Sequence, residues 1–293
     1  MAPSFPGWLA FGASVRGATH TQRNLPNQDA LAWTPPDGHG PPLVLALADG
    51  HGEARSFRSH HGARLAVQAA CDLGADLAGE ALSSAGAESG RRLADRWRQL
   101  VEAHRTANPD GWDEAIAGLE RAGDRQAPAE LHENPLLAYG STLVFAVVTA
   151  EGLWYGQLGD GDILEIAGPT TVRRPLPADP RLVGNLTTSL CQPDCWRDFR
   201  FAFRPAAEAP LAVLLATDGY ANSFRDPAGF LQVGPDLVDA LRNDGLAAVR
   251  DLLPGWLEET SREGSGDDIS AGLLIRPLVL GVGAAGGEGG GHG

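Results

Sequence analysis

The sequence predicts an α+β fold of the α-β-β-α kind: two largely antiparallel sheets with helices outside, in one domain. Three observations carry this. The order along the chain is strands, helices, strands, helices, strand, without the regular βαβ alternation of a doubly wound parallel fold. LVLALA at 43–48 is apolar throughout, as a strand covered on both faces must be, and LAVLLAT at 211–217 reads as another such doubly buried strand. Residues 141–150 and 153–166 read as two or three strands joined by tight turns.

The elements follow in order. Residues 8–15 are apolar and β-rich, and 30–33 form a short second strand. After the strand 43–48 comes a turn, Asp49-Gly50-His51-Gly52. Residues 54–77 are expected to be helical, with Leu65, Ala69 and Leu73 at four-residue spacing. The small polar stretch 78–90 reads as a loop. A helix over 91–104 has Leu93, Trp97 and Leu100 or Val101 on one face, and 112–119 adds another. Residues 121–138 read as a polar connection. The later strands turn at Glu151-Gly152 and at 159–162. Residues 175–198 hold four prolines and little periodicity, and are expected to be an irregular insertion. A weak alternation at 199–203, helices in roughly 235–260 and a last strand at 269–275 complete a domain spanning 1–280. The tail 281–293 is almost all glycine and alanine and is expected to be disordered.

Composition narrows the function. Apolar residues make up 43% of the 293, enough for a real core. The net charge of −14 argues against a nucleic-acid partner, which needs a basic surface. No run approaches the roughly 20 apolar residues of a membrane span, and the N-terminus does not read as a secretory signal. A cytoplasmic protein without a membrane partner is expected. Three cysteines, Cys71, Cys191 and Cys195, form no disulfide framework, and no second ligand pair completes a zinc site.

The informative pattern is where the acids sit. Asp49 follows LVLALA, Asp218 follows LAVLLAT, and Asp160 follows the strand ending Gln157-Leu158-Gly159. Asp29 comes just before the strand at 30–33, and Asp267 and Asp268 just before the last strand. One aspartate at a strand end is ordinary, because aspartate favours turns and caps. Several converging carboxylates would repel each other and need cations to stay ionised. Oxygen-only ligation favours Mg²⁺ or Mn²⁺ over zinc.

Six segments carry a family resemblance. They are Gly12-Ala13-Ser14 through Gln28-Asp29, Ala48-Asp49-Gly50-His51-Gly52, Gly140-Ser141-Thr142, Leu158-Gly159-Asp160, Ala216-Thr217-Asp218-Gly219 and Gly266-Asp267-Asp268-Ile269-Ser270. In this order they resemble the metal-dependent protein phosphatases of type 2C, in a bacterial-like branch, over roughly 8–275. The resemblance implies two sheets between outer helices. It also implies a serine/threonine phosphoprotein phosphatase in which a water bridging two Mg²⁺ or Mn²⁺ ions attacks phosphorus. By motif position, Asp49 would bridge both metals, the Gly50 carbonyl would ligate one, and Asp218 and Asp267 the other. Asp29 would lie just behind, and Asp160 would belong to a third, weaker metal site. His51 would be the general acid. The expected partner is a phosphorylated protein made by a serine/threonine kinase.

Some positions depart from the family. Gln28 stands where it usually has glutamate. The phosphate-gripping arginine has no clear counterpart in the stretch 16–23, leaving Arg23, slightly favoured, or His20. Gly161 stands where serine is common. A catalytically weak or inactive relative that binds phosphoproteins is therefore the alternative. An aspartyl-nucleophile phosphohydrolase needs a second aspartate two residues after the first, and Asp49-Gly50-His51 fails that pattern. Asp160-Gly161-Asp162 starts like a calcium loop, but Leu164 and Glu165 stand where an oxygen ligand and glycine are needed. His60 and His61, on a predicted helix, read as surface or packing residues.

Overall fold

The computed structural model describes residues 7–77, 86–168, 170–182 and 187–280. The glycine-rich tail, and 78–85 and 183–186 of the expected loop and insertion, lie outside them. Eleven strands are described: β1 (Trp8–Val15), β2 (Ala30–Thr34), β3 (His39–Gly40), β4 (Leu43–Ala48), β5 (Leu143–Val148), β6 (Gly152–Leu158), β7 (Asp162–Gly168), β8 (Thr171–Arg173), β9 (Arg200–Pro205), β10 (Ala212–Ala216) and β11 (Ile269–Ile275). They form one sheet ordered β3-β1-β11-β10-β7-β8 and another ordered β2-β4-β5-β6-β9. Every pairing is antiparallel.

The period of two along each strand divides the core into layers. Leu43, Leu45 and Leu47 of β4 pack between the sheets with Val144, Ala146 and Val148 of β5 and Val213 and Leu215 of β10. The alternate residues Val44, Ala46, Leu143, Phe145 and Val147 face a first helical layer. Leu214, Leu273 and Ile275 face a second. The expected order of helix, sheet, sheet, helix is therefore what the chain builds.

The first layer holds α2 (Ser59–Leu77) and α3 (Ala87–Ala107), with α4 (Trp112–Arg121) and α5 (Ala127–Glu133) beside them. Small residues on α2 let it lie close to the sheet: a Cβ on Gly74 would collide with Val44. The second layer holds α7 (Pro227–Asn243) and α8 (Gly245–Glu263), which bury Phe230, Val233, Leu237, Val249, Leu253 and Leu257. Two short helices, α1 (Ala18–Arg23) and α6 (Asp218–Ala221), follow β1 and β10.

Several boundaries differ from expectation. The helix expected from 54 opens as a 3-10 turn, Ala54–Ser56, and α2 proper starts at Ser59. The connection 121–138 contains α5 and a 3-10 turn, Pro135–Tyr139. α7 starts at Pro227, eight residues before the expected 235, where the Asp226 side chain accepts from Gly229 N at 2.9 Å and proline suits the first turn. Helix α1 lies in the stretch 16–23, where no helix was expected. It has six residues and buries none, so no periodicity marks it.

Candidate metal centre

Strand register brings the acids to one end of the sandwich. Ala30 pairs with Ala48, so Asp29 and Asp49 are the next residues out. Leu158 pairs with Leu143, which sets the turn carrying Asp160 beside Thr142. Ala216 pairs with both Asp162 and Ala271, so Asp218 and the pair Asp267-Asp268 meet from the other sheet. Carboxylate oxygens of Asp49, Asp160 and Asp218 lie within 4.8 Å of one another.

The field at this point is strongly negative. Burial, then the charges of Asp218, Asp29, Asp267 and Asp160, push the Asp49 carboxyl well above the usual range. Burial and Asp160 and Asp267 push Asp218 up to about 6. Asp29 is 6% exposed. Burial raises its pKa well above the usual range, against the hydrogen bond its Oδ2 accepts from Thr217 Oγ1 at 2.6 Å. Among the described residues no arginine or histidine forms an ion pair with Asp29, Asp49, Asp160 or Asp218.

The residues fit divalent cations on three counts. The donors are carboxylates, suited to hard ions. Among the described residues no arginine or histidine compensates the charges of Asp49, Asp160 and Asp218. Gln28 donates from Nε2 to Ser59 Oγ at 2.8 Å, while its Oε1 is buried without a hydrogen-bond partner and is free to accept from a hydrated ion.

The remaining expected site residues are placed as follows. Gly50 is pressed between backbones: a Cβ there would stand 2.7 Å from Gln28 O and 2.8 Å from Ser59 O. The His51 ring edge meets Gly140, where any side chain would run into Cδ2. Its Nε2 is 2.7 Å from Ser189 Oγ, and burial lowers its pKa. The side chain of Asp267 is half exposed, whereas that of Asp268 is 3% exposed. Asp268 accepts from Gly17 N and Gln28 N at 2.6 Å and from His20 Nδ1 at 2.7 Å. It therefore braces α1 and the residue before Asp29.

Neither expected phosphate ligand joins the cluster. His20 reaches it only through Asp268 and, at 3.8 Å, Asp267. Arg23 is exposed at the end of α1 and, among the described residues, makes no ion pair. Sequence reasoning missed Thr188 and Ser189. Thr188 Oγ1 accepts from Gly159 N at 2.9 Å and so holds the turn that carries Asp160. Both lie in the irregular segment, where no local pattern singles them out.

The chain is thus a two-sheet sandwich with aspartates gathered at one end, an arrangement suited to hard cations. Residues 16–258 match the family described as Protein phosphatase 2C, so the chain belongs to that family and is a protein phosphatase. No curated protein matches it in sequence. In three dimensions it resembles the catalytic domain of the serine/threonine protein phosphatase PstP in complex with two manganese ions. The TM-score is 0.56 at 17% identity, over 92% of this chain and 98% of that one. PppA, described as a key regulatory component of T6SS in Pseudomonas aeruginosa, gives 0.56 at 17% over 92% and 97%. Mycobacterium tuberculosis PstP/Ppp gives 0.51 at 16% over 92% and 99%.

Proposed function

We propose that this protein is an active phosphatase for phosphoserine and phosphothreonine in proteins, dependent on two Mg²⁺ or Mn²⁺ ions. The single observation behind this is the convergence of Asp49, Asp160 and Asp218, with no ion-paired cation among the described residues. The two manganese ions in the PstP complex support the same count. Asp49, Asp218, Asp267 and the Gly50 carbonyl would hold the ions, with Asp160 at a further position and Asp29 behind. Bound ions of this type neutralise the transferring phosphoryl group and make a water easier to deprotonate. Gln28 Oε1 would orient such a water, and His51 would supply the proton that a serine or threonine oxygen needs on leaving. The substrates are products of serine/threonine kinases, and residues 1–280 are the catalytic unit.

A binding-only relative has one observation in its favour: Arg23 does not reach Asp49, Asp160 or Asp218, and His20 touches only Asp268 and Asp267. Hydrolysis of p-nitrophenyl phosphate and of a phosphothreonine peptide, with Mn²⁺, Mg²⁺ or excess chelator, separates the two readings. Activity that depends on the ion supports the enzyme. Phosphopeptide binding without turnover under any ion supports the alternative.

A further inference from the structure

We infer that His20 and Asp268 are positioning residues of the metal centre: together they fix the backbone that presents Gln28 and Asp29, and so set the affinity for divalent ions. This rests on the reading of the centre as a Mg²⁺ or Mn²⁺ site. His20 acts through Asp268, in place of the phosphate contact expected from the sequence.

Between the end of β1 at Val15 and Asp29 runs a segment whose one helix, α1, buries no residue. Apolar packing, the usual support of a helix, does not hold it. Polar contacts with the chain entering β11 do. Arg16 Nη2 donates to His20 O at 2.9 Å, and Thr19 N donates to Gly266 O at 2.8 Å. Ala18 N donates to Ser261 Oγ at 3.1 Å, and that hydroxyl donates to Asp267 O at 2.7 Å. Gly17 is pressed so close that a Cβ there would stand 2.4 Å from Asp267 C.

Asp268 is the hub of these contacts. Its Oδ1 accepts from Gly17 N at 2.6 Å, its Oδ2 accepts from Gln28 N at 2.6 Å, and the same Oδ2 lies 2.7 Å from His20 Nδ1. One buried carboxylate thus joins the start of the segment, its helix and the residue before Asp29. Asn27 braces the same entry from β1: its Nδ2 donates to Ser14 Oγ at 2.9 Å and its Oδ1 accepts from Asp29 N at 2.9 Å. Of the three donors to Asp268, two are backbone groups of the segment that it has to hold. His20 is the side chain that fixes the carboxylate from outside that circle. A buried carboxylate that loses a donor is costly and reorients to find another, which frees Gln28 N.

The surroundings of His20 do not suit phosphate. Its side chain is 13% exposed, Nδ1 is committed to Asp268, and Nε2 faces Asp267 Oδ1 at 3.8 Å. A phosphoryl dianion there would meet two carboxylates at close range. Groups that orient the ligands of an ion without touching it set its affinity.

The test uses the full chain and Mn²⁺, with bound ion read by electron paramagnetic resonance in the absence of substrate. His20→Ala should weaken Mn²⁺ binding at least ~10-fold. His20→Asn, whose amide donates from the place of Nδ1, should recover most of that affinity. Peptide turnover lost by His20→Ala at low Mn²⁺ should return as Mn²⁺ is raised. Adding His20→Ala to Asp268→Ala should cost little more than Asp268→Ala alone, because the two side chains act as one unit. Unchanged Mn²⁺ affinity in His20→Ala, with a raised KM for phosphothreonine peptide at saturating Mn²⁺, would overturn the inference in favour of a phosphate ligand. Unchanged affinity with a lowered melting point in chelator would overturn it in favour of a structural role alone. Equal weakening in His20→Ala and His20→Asn would overturn it too, since the hydrogen bond would then not be the cause. The affinities need no substrate, so a parent that binds Mn²⁺ and turns over no ester loses the phosphatase reading alone.

Discussion

Replacing Asp218 with asparagine should change stability in opposite directions with and without divalent ions. Burial and the charges of Asp160 and Asp267 move this carboxyl from 3.8 to about 6. A shift of that size is worth about 3 kcal/mol of unfavourable energy in the ionised, metal-free protein near neutral pH. Asparagine removes the charge and keeps an oxygen for Asn222 Nδ2, which donates to Asp218 Oδ2 at 2.9 Å. It gives up the favourable placement of a negative charge at the first residue of α6, worth about 0.3–1 kcal/mol. The net gain is about 2 kcal/mol, or ~5 °C in melting temperature for a chain of this size. The sign with pH is fixed by the direction of the shift. The folded protein binds this proton more tightly than the unfolded one, so the penalty is fully present above about pH 6 and gone near pH 4. With saturating Mn²⁺ the order reverses, because the parent gains the binding free energy, about 2.7 kcal/mol at 100 times Kd, and the variant loses a ligand. Calorimetric melting of both proteins at pH 7.5 and pH 4.5, in chelator and in Mn²⁺, reads all four states. A variant that melts below the parent in chelator at pH 7.5, or one with an undiminished Mn²⁺ shift, refutes the reasoning.

The other predictions address the surroundings of the centre. His51→Gln should lose much of the roughly 10² to 10⁴-fold of acid catalysis on phosphopeptide and less on the aryl ester, whose leaving group is a stable anion; kcat on both esters checks it. Gly140→Ala places a methyl group in the His51 ring, so it should cost about 1–3 kcal/mol by overpacking and lower phosphopeptide turnover while Mn²⁺ still raises the melting point. His61 sits between His60 and His104, tilted by 40° to each, at centroid distances of 4.0 and 4.3 Å. Burial, then His60, His104, Arg64 and Arg58, lower its pKa to about 4. The unfolded chain therefore binds that proton first, and stability falls as pH drops from about 6.5 towards 4. After discounting for solvent screening the contribution is about 1 kcal/mol. His61→Gln should flatten the melting profile over that window, which a pH series of melting curves measures.

Local pattern determined much of this protein. The unbroken apolar runs at 43–48 and 211–216 specify strands buried on both faces, because each alternate residue must find a separate apolar layer. The acids at the ends of those runs were legible for the same reason, since a polar residue there marks where the core stops. Helix α1 and the 3-10 turns escaped because they are short and lack an apolar stripe of their own. Tertiary structure alone decided which acids meet. Asp49, Asp160 and Asp218 come together through the pairing of Leu47 with Val144 and of Ala216 with Asp162, and register across strands more than fifty residues apart leaves no local trace. It also decided between two adjacent aspartates. Successive residues entering a strand point to opposite sides, so Asp268 is turned inward to Gly17, His20 and Gln28 while Asp267 stays half exposed. Ser189 lies 138 residues from His51 in a segment without periodicity. It meets the His51 ring only once both sheets are assembled and the hydrogen bonds of Ser141 hold that segment over the site.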